Sequence, residues 1–209
     1  MAAPTSKNQI CDMALSHMGN YGSVNDIDNP KDSKESTFAL WYDVTRQSAL
    51  RLLLPNFALA RRVVAEVPLP TEYTNTYSKA FERPADCLKV LGIGQIDSKT
   101  GFTVEGNLIL VENNDDYADG LPIRFVLDIT DVTAFTPDFK ILFSIMLAAN
   151  TALAITQKQN IKDKLGALLP MKMSELSGTN AQENPPIRIS RSKFKEARYS
   201  TPMFSGSKR

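Results

Sequence analysis

The sequence has few of the residues on which catalytic centres and disulfide frameworks depend. Its 209 residues include one histidine, His17, and two cysteines, Cys11 and Cys87. The cysteines lie in apolar surroundings without metal-type spacing, so we expect two reduced core residues rather than a disulfide framework or a zinc site. A lone histidine inside a helical stretch is far more often structural than catalytic, and no nucleophile–base pair assembles around it. These absences predict a non-enzymatic protein without a cofactor or a metal ion.

The chain also lacks an excess of either charge and lacks a long hydrophobic run. It carries 24 Lys and Arg against 23 Asp and Glu, whereas proteins that bind nucleic acids or membrane surfaces usually show a clear excess of one sign. The longest apolar run, ILFSIMLAANTALAI, has about fifteen residues, fewer than the roughly 20 that cross a bilayer. We therefore expect a buried or interface helix at this run and no membrane partner.

Charge is present, but it is unevenly distributed along the chain. Residues 97–138 contain nine acidic and two basic residues, whereas residues 187–209 contain seven basic and one acidic residue. The two segments are either solvated loops that differ in composition, or the basic end of the chain binds something acidic. Composition leaves both interpretations open.

Helix signals begin close to the N-terminus. Ser6 and Gln9 have the spacing of a capping box, which predicts a helix from about Lys7 to Met18, ended by Gly19. The last third of the chain also has helical character, because Pro137 follows a plausible N-cap at residue 136 and favours a helix to about residue 157. A further helix is expected to be capped at residue 160 and weakened or bent at residues 166 and 170.

The second predicted helix carries an apolar stripe and stops at a proline. Asp32 is a start signal. The stripe residues recur at intervals of three and four: Phe38, Trp41, Tyr42, Thr45, Ala49, Leu52 and Leu53. Pro55 ends or kinks this helix because it has no amide hydrogen to donate. The next stretch, NFALARR, is predicted to restart as a short helix that packs Phe57 and Leu59 against the stripe.

From residue 63 to about residue 130 the pattern changes to short runs rich in β-branched residues. The runs VVAEVPL, CLKVLGI, GFTVEGNLILVE and IRFVLDI are separated by Gly, Asn, Asp and Pro, as strands are. Gly106 and Asn107 lie between two apolar runs and predict a hairpin. The acidic loop ENNDDYADG contributes four carboxylates: Glu112, Asp115, Asp116 and Asp119.

These signals together predict an α+β fold that is mainly α. Residues 1–62 and 136–176 form a helical bundle module, residues 63–135 form an inserted small antiparallel β-subdomain, and residues 177–209 form an extended C-terminal arm. The arm has few large apolar residues, so we expect it to be disordered or ordered by a partner. Its segment IRISR alternates in the way an edge strand does and suits strand addition or groove binding.

The order of these features resembles that of the head-to-tail adaptor proteins of short-tailed bacteriophages, the tail tubular protein A group. The first helix, ICDMALSHMG, is similar to a recurring Cys, Ala-Leu and Gly pattern of that family. The long helix is similar to a Tyr-Asp, Arg and Leu pattern that breaks at proline before two arginines. The matching residues are Cys11, Ala14, Leu15, Gly19, Tyr42, Asp43, Arg46, Leu50, Pro55, Phe57, Ala58, Arg61 and Arg62. The chain departs at Asn56, where the family often has Trp.

The resemblance extends over roughly residues 8–175, because FERPADCLKVLGI, VEGNLILVENND and FKILFSIMLAANTALAIT also match family segments. It implies a structural virion protein of the tail or neck region, assembled in the host cytoplasm. The family forms a ring, usually of twelve copies, which docks under the portal protein and continues the DNA channel towards the tail nozzle protein, a tail tubular protein B-like protein. Double-stranded DNA passes through it transiently. The long helix would then pack partly within the subunit and partly against neighbouring copies, through heterologous interfaces.

Two sets of residues are candidate sites under this interpretation. The arm would dock on the portal, with basic residues meeting acidic side chains and apolar residues filling pockets. Its candidate residues are Ile187, Arg188, Ile189, Arg191, Lys193, Phe194, Lys195, Arg198 and Tyr199. The acidic loop around Glu112, Asp115, Asp116 and Asp119 would face the nozzle or the channel, where negative charge keeps DNA from binding.

Two other functions compete with the adaptor. A tail-associated peptidoglycan hydrolase would act through paired carboxylates such as Glu112 and Asp116, which must be held about 5 to 9 Å apart across a groove. A nucleic-acid-binding protein would use the interleaved basic and aromatic residues of the arm, and its DNA binding would depend steeply on salt.

Overall fold

The computed structural model describes residues 4–20, 22–94, 101–112, 117 and 119–183. Within these residues the helices are α1 (Lys7–His17), α2 (Ser33–Leu53), α3 (Pro137–Thr156) and α4 (Gln159–Glu183). The strands are β1 (Leu59–Val64), β2 (Glu66–Val67), β3 (Lys79–Glu82), β4 (Cys87–Ile93), β5 (Phe102–Glu105), β6 (Leu108–Val111) and β7 (Leu121–Leu127). The predicted fold class, α+β and mainly α, is confirmed. The predicted boundaries of the domains stay predictions.

Local capping chemistry starts the helices where the sequence predicts. The Ser6 side chain accepts a hydrogen bond from the Gln9 amide, and the Gln9 side chain accepts one from the Ser6 amide, so the capping box is formed. Asp32 caps α2 by accepting from the Glu35 amide at 2.7 Å. Pro137 occupies the first turn of α3. The predicted cap at Asn160 is wrong, because α4 already begins at Gln159.

The chain turns a corner at Pro55 and then becomes a strand. Leu54 ends α2 in the left-handed conformation with a φ of 48°, and a single 3₁₀ turn, Asn56–Ala58, follows. The predicted short helix through Arg61 and Arg62 is therefore wrong. The chain from Leu59 onward pairs antiparallel with β7, and this pairing with a distant strand overrides the local helical pattern.

Helix α3 is the centre of the helical part and contacts α1, α2 and α4. It has 20 residues, and its most apolar 18-residue window has a mean hydropathy of 1.7, which by length and composition alone is enough to cross a bilayer. Of that window, 56% is buried inside the molecule. Its buried aromatic rings contact those of neighbouring segments: Phe139 lies 5.1 Å from Phe57, and Phe143 lies 5.2 Å from Tyr42, centroid to centroid. This burial agrees with the predicted buried helix.

The strands form two antiparallel sheets, in the orders β1-β7-β4 and β2-β3-β6-β5. The predicted hairpin is confirmed, because β5 and β6 pair across Gly106 and Asn107, with Glu105 opposite Leu108. A second, smaller core forms from residues of both sheets, Phe81 and Phe125 among them. Strand β3 has no counterpart among the predicted runs, since its four residues carry too short a pattern.

Helix α4 continues further than the sequence predicts. Leu176 is buried in the helical core, and the Asn56 side-chain amide donates to the backbone oxygen of Asn180 at 3.0 Å and to the Glu183 carboxylate at 2.9 Å. Residues 177–183 are therefore helical rather than part of an extended arm. The end of α4 is held beside the corner that follows Pro55.

Candidate interaction surfaces

The acidic loop connects β6 to β7, and the structure describes only part of it. Glu112 and Asp119 are exposed at its two ends, whereas Asp115 and Asp116 lie outside the described residues. Tyr117 anchors the loop by packing its ring edge-on to Phe81 at 6.5 Å. The carboxylate pair that a hydrolase would need includes Asp116, so the described residues contain one of its two members.

Gly120 fixes the path by which this loop returns to the sheet. Its φ is 105°, and a Cβ atom there would come within 2.7 Å of Val63 Cγ1 and 2.8 Å of the Val64 backbone oxygen. Because only glycine avoids both the strain and the clash, the chain at Gly120, next to Asp119, is held close against β1.

All nine candidate residues of the portal-docking arm lie outside the described residues: Ile187, Arg188, Ile189, Arg191, Lys193, Phe194, Lys195, Arg198 and Tyr199. The structure does describe the point from which the arm departs, which is the end of α4 at Glu183. That point is tied to Asn56 by the two hydrogen bonds given above. The arm therefore starts from a position fixed relative to the helical core.

The outward side of α2 carries an apolar surface. We define the outer face of α2 as Leu40, Trp41, Val44 and Leu52, whose exposed fractions are 71%, 37%, 59% and 57%. Trp41 and Leu52 of the predicted stripe are thus exposed in the single subunit, while Leu50, outside the stripe, is fully buried. Arg51 is the charged residue that lies along the outer face. A helix surface so apolar and poor in charge has the composition of an interface core.

A cleft lies between α3 and α4. Its apolar floor is made by Ile141, Leu142 and Leu176, and its rim includes Asp138 and the ion pair between Lys172 and Glu175, with the nitrogen and oxygen 2.7 Å apart. The cleft has a volume of about 160 Å³. We call it the α3–α4 cleft. Sequence reasoning expected the long helix to pack partly against neighbouring copies, but it did not identify which of its residues would be exposed, and it did not find the cleft.

A buried ion pair joins α2 to the end of β7. The Arg46 side chain is 3% exposed and donates to the Asp128 carboxylate, whose side chain is 21% exposed. Arg46 also donates to the Ile129 backbone oxygen at 2.7 Å, and the Gln47 amide donates to Asp128 at 2.9 Å. Asp43, one helical turn before Arg46, accepts from its Nε at 3.1 Å. These bonds couple the helical part to the sheet.

The residues on which nucleophilic catalysis could rest are structural. Burial raises the pKa of both thiols, Cys11 and Cys87, which keeps them protonated and unreactive. His17 Nε2 lies 3.0 Å from Ser144 Oγ, and the Ser144 hydroxyl donates to the Ile141 oxygen, so His17 must donate to it. Burial lowers the pKa of His17. Among the described residues, no group of three His, Cys, Asp or Glu side chains is arranged to hold a metal ion.

Most residues that carry the adaptor resemblance belong to the core or to the corner. Cys11, Ala14, Leu15, Tyr42, Leu50 and Ala58 are buried. Arg46 makes the buried ion pair, and Arg62 makes a two-bond ion pair with Asp86 at 2.8 and 2.9 Å, which lowers the pKa of that carboxyl. The motif thus has a structural explanation in the way the helices meet the sheet.

Comparison with known proteins adds no family: no protein-family model matches the chain, and no curated protein matches it.

Proposed function

We propose that this protein is a head-to-tail adaptor, a structural virion protein that forms a ring between the portal and the tail nozzle and continues the DNA channel. The observation that carries the proposal is the outer face of α2. Its four side chains leave roughly 400 Å² of apolar surface in water, which is within the size range of the largest apolar patch on a typical monomer, and such a patch is often functional. A protein whose role is to contact copies of itself and other virion proteins needs such a surface.

The fixed position of the end of α4 supports a docking role for the arm. A docking segment needs a defined point of attachment to the subunit. The hydrogen bonds between Asn56 and the end of α4 provide that defined point. In this proposal the basic residues of the arm meet acidic side chains of the portal, and its apolar residues enter pockets there.

The acidic loop supports a position along the DNA path or towards the nozzle. Glu112 and Asp119 are exposed, and the packing of Gly120 holds the chain beside Asp119 against β1. Phosphate contacts with Lys and Arg dominate the affinity of proteins for DNA. A loop that presents carboxylates therefore lets double-stranded DNA pass without being retained.

The proposal is tested by sedimenting purified portal rings with this protein. The full chain should shift the rings to one discrete heavier mass, and a chain ending at residue 184 should remain folded but fail to shift them.

A matched pair of triple charge reversals sharpens the test. Arg188, Arg191 and Lys193 changed to Glu should abolish the shift, whereas Lys158, Lys162 and Lys164, exposed on and beside α4, changed to Glu should preserve it. Portal binding by the truncated chain would refute the role of the arm, and no shift by the full chain would refute the adaptor.

A further inference from the structure

The outer face of α2 and the α3–α4 cleft are two different surfaces of the helical part. Asn150 of α3 donates a hydrogen bond to Thr45 of α2 at 3.0 Å, whereas Ile141 and Leu142 of α3 line the cleft. At about 100° per residue, Ile141 points about 180° away from Asn150 and Leu142 about 80° away. The cleft and the contact with α2 therefore occupy different sides of α3.

The outer face of α2 also points away from α3. Tyr42 packs against Phe143 of α3, and Val44, two residues further along α2, is rotated by about 200° from Tyr42. Leu40 lies one turn before Val44, and Arg51 returns to within about 20° of Leu40. The apolar residues of this face and Arg51 therefore look outward, away from α3.

The cleft has room for one side chain of the outer face and carries the opposite charge. A volume of about 160 Å³ is close to the roughly 150 Å³ of an engineered cavity that takes up one benzene ring, so it accommodates one large apolar side chain. The floor of the cleft is apolar, and its rim carries the exposed carboxylate of Asp138. The outer face of α2 offers Leu40, Leu52 and a guanidinium at Arg51.

We propose that the outer face of α2 of one copy docks into the α3–α4 cleft of the next copy. This inference rests on the proposed ring and specifies which surfaces meet in it. Because the two surfaces are different, the contact is heterologous and repeats from copy to copy, which is how rings close. A contact of α2 with the α2 of a second copy would be isologous, would stop at a dimer and would leave the cleft empty.

Cysteine cross-linking distinguishes these arrangements. Ser48, in the middle of the outer face, and Thr179, which lines the cleft, are exposed and tolerate the conservative changes Ser48→Cys and Thr179→Cys. The native cysteines are buried and give little background reaction. A short bismaleimide should link a mixture of the two single variants into dimers, leave each single variant unlinked, and convert the double variant into a ladder of multimers. Adding Leu40→Lys to the double variant should reduce the ladder at least tenfold.

The control replaces Thr179→Cys with Val104→Cys, an exposed position on β5, and should give no product with Ser48→Cys. The reaction is run on concentrated protein and on portal rings that carry it. Self-linking of Ser48→Cys, or no product from the mixture in either sample, overturns the inference. Sedimentation with the portal is read separately: binding without a ladder rejects the docking arrangement and keeps the adaptor, whereas a ladder without portal binding keeps the docking arrangement and rejects the adaptor.

Discussion

The two faces of α2 have nearly the same hydrophobicity but opposite environments. The inner face buries Phe38, Tyr42 and Leu50 against α1 and α3, together with the charged residues Glu35 and Arg46, both almost fully buried. The outer face exposes Leu40, Val44 and Leu52. Within the described residues, this face has no counterpart of the buried ion pair that Arg46 makes on the inner face. The comparison teaches that polarity does not separate core from surface in this helix. Core and surface positions of α2 differ in whether the side chain packs against, or bonds to, other residues of the same chain.

A large loss of stability should follow the removal of the buried guanidinium. Arg46→Ala leaves the Asp128 carboxylate without its principal partner in a mostly buried position. We expect a loss of about 3 kcal/mol in the free energy of unfolding, at the low end for a broken buried pair because Asp128 keeps some solvent. Urea denaturation, monitored by circular dichroism, measures this loss in the free energy of unfolding.

The matched control for this change is Arg51→Ala on the outer face, which should alter the free energy of unfolding by less than about 0.5 kcal/mol, as is usual for surface positions. Equal costs for Arg46→Ala and Arg51→Ala would show that the polar junction between α2 and β7 contributes nothing to the fold.

A leucine pair two residues apart tests the same comparison for apolar groups. Leu50 is fully buried and Leu52 is 57% exposed. Leu50→Ala should cost about 2 to 5 kcal/mol, since it leaves a cavity in the helical core. Leu52→Ala should cost less than about 1 kcal/mol in the free subunit. Thermal and urea unfolding of the two variants measure these losses in stability. A loss for Leu52→Ala as large as that for Leu50→Ala would mean that Leu52 is a core residue.

The sequence predicts those parts of α2 that local chemistry determines. The cap at Asp32 and the stop at Pro55 depend on neighbours within four residues, and both are found as predicted. The roles of Arg46 and Leu59 depend on partners more than sixty residues away: Asp128 in one case, and Val126 in the other. A pattern of apolar residues read along one helix cannot show which of two apolar faces a distant helix will cover.

Glu35 should make stability depend on acid. Its carboxylate accepts hydrogen bonds from the Lys31 amide at 2.7 Å and the Asn25 amide at 3.1 Å, and these bonds lower the pKa of Glu35 below its ordinary value of 4.5. A carboxyl whose pKa is lower in the folded state contributes stability above about pH 4.5, and the contribution is lost as the pH falls through the folded pKa. Glu35→Gln should therefore be less stable than the parent at pH 7. Below the folded pKa of Glu35, the free energies of unfolding of the two proteins should converge.

Unfolding curves of both proteins between pH 7 and pH 3 would measure this convergence. Asp119→Asn, a change at an exposed carboxylate, is the control and should leave the shape of the pH profile unaltered. A constant gap between the parent and Glu35→Gln over the whole range would show that the carboxylate charge is irrelevant to the anchoring of residues 25–31.

The smallest expected change has the opposite sign. The Tyr42 hydroxyl is buried and makes no hydrogen bond to any described residue, and burial raises the pKa of Tyr42. Tyr42→Phe keeps the ring contact with Phe143. Because an unbonded buried hydroxyl carries a desolvation cost, the change should leave stability unchanged or raise it by up to about 1 kcal/mol.

Tyr77→Phe is the matched control, because the Tyr77 hydroxyl bonds to Thr103 at 3.1 Å and its removal should cost about 1 kcal/mol. If Tyr42→Phe is instead the more destabilising of the two, the hydroxyl has a partner, and the inner face of α2 has each of its polar groups paired.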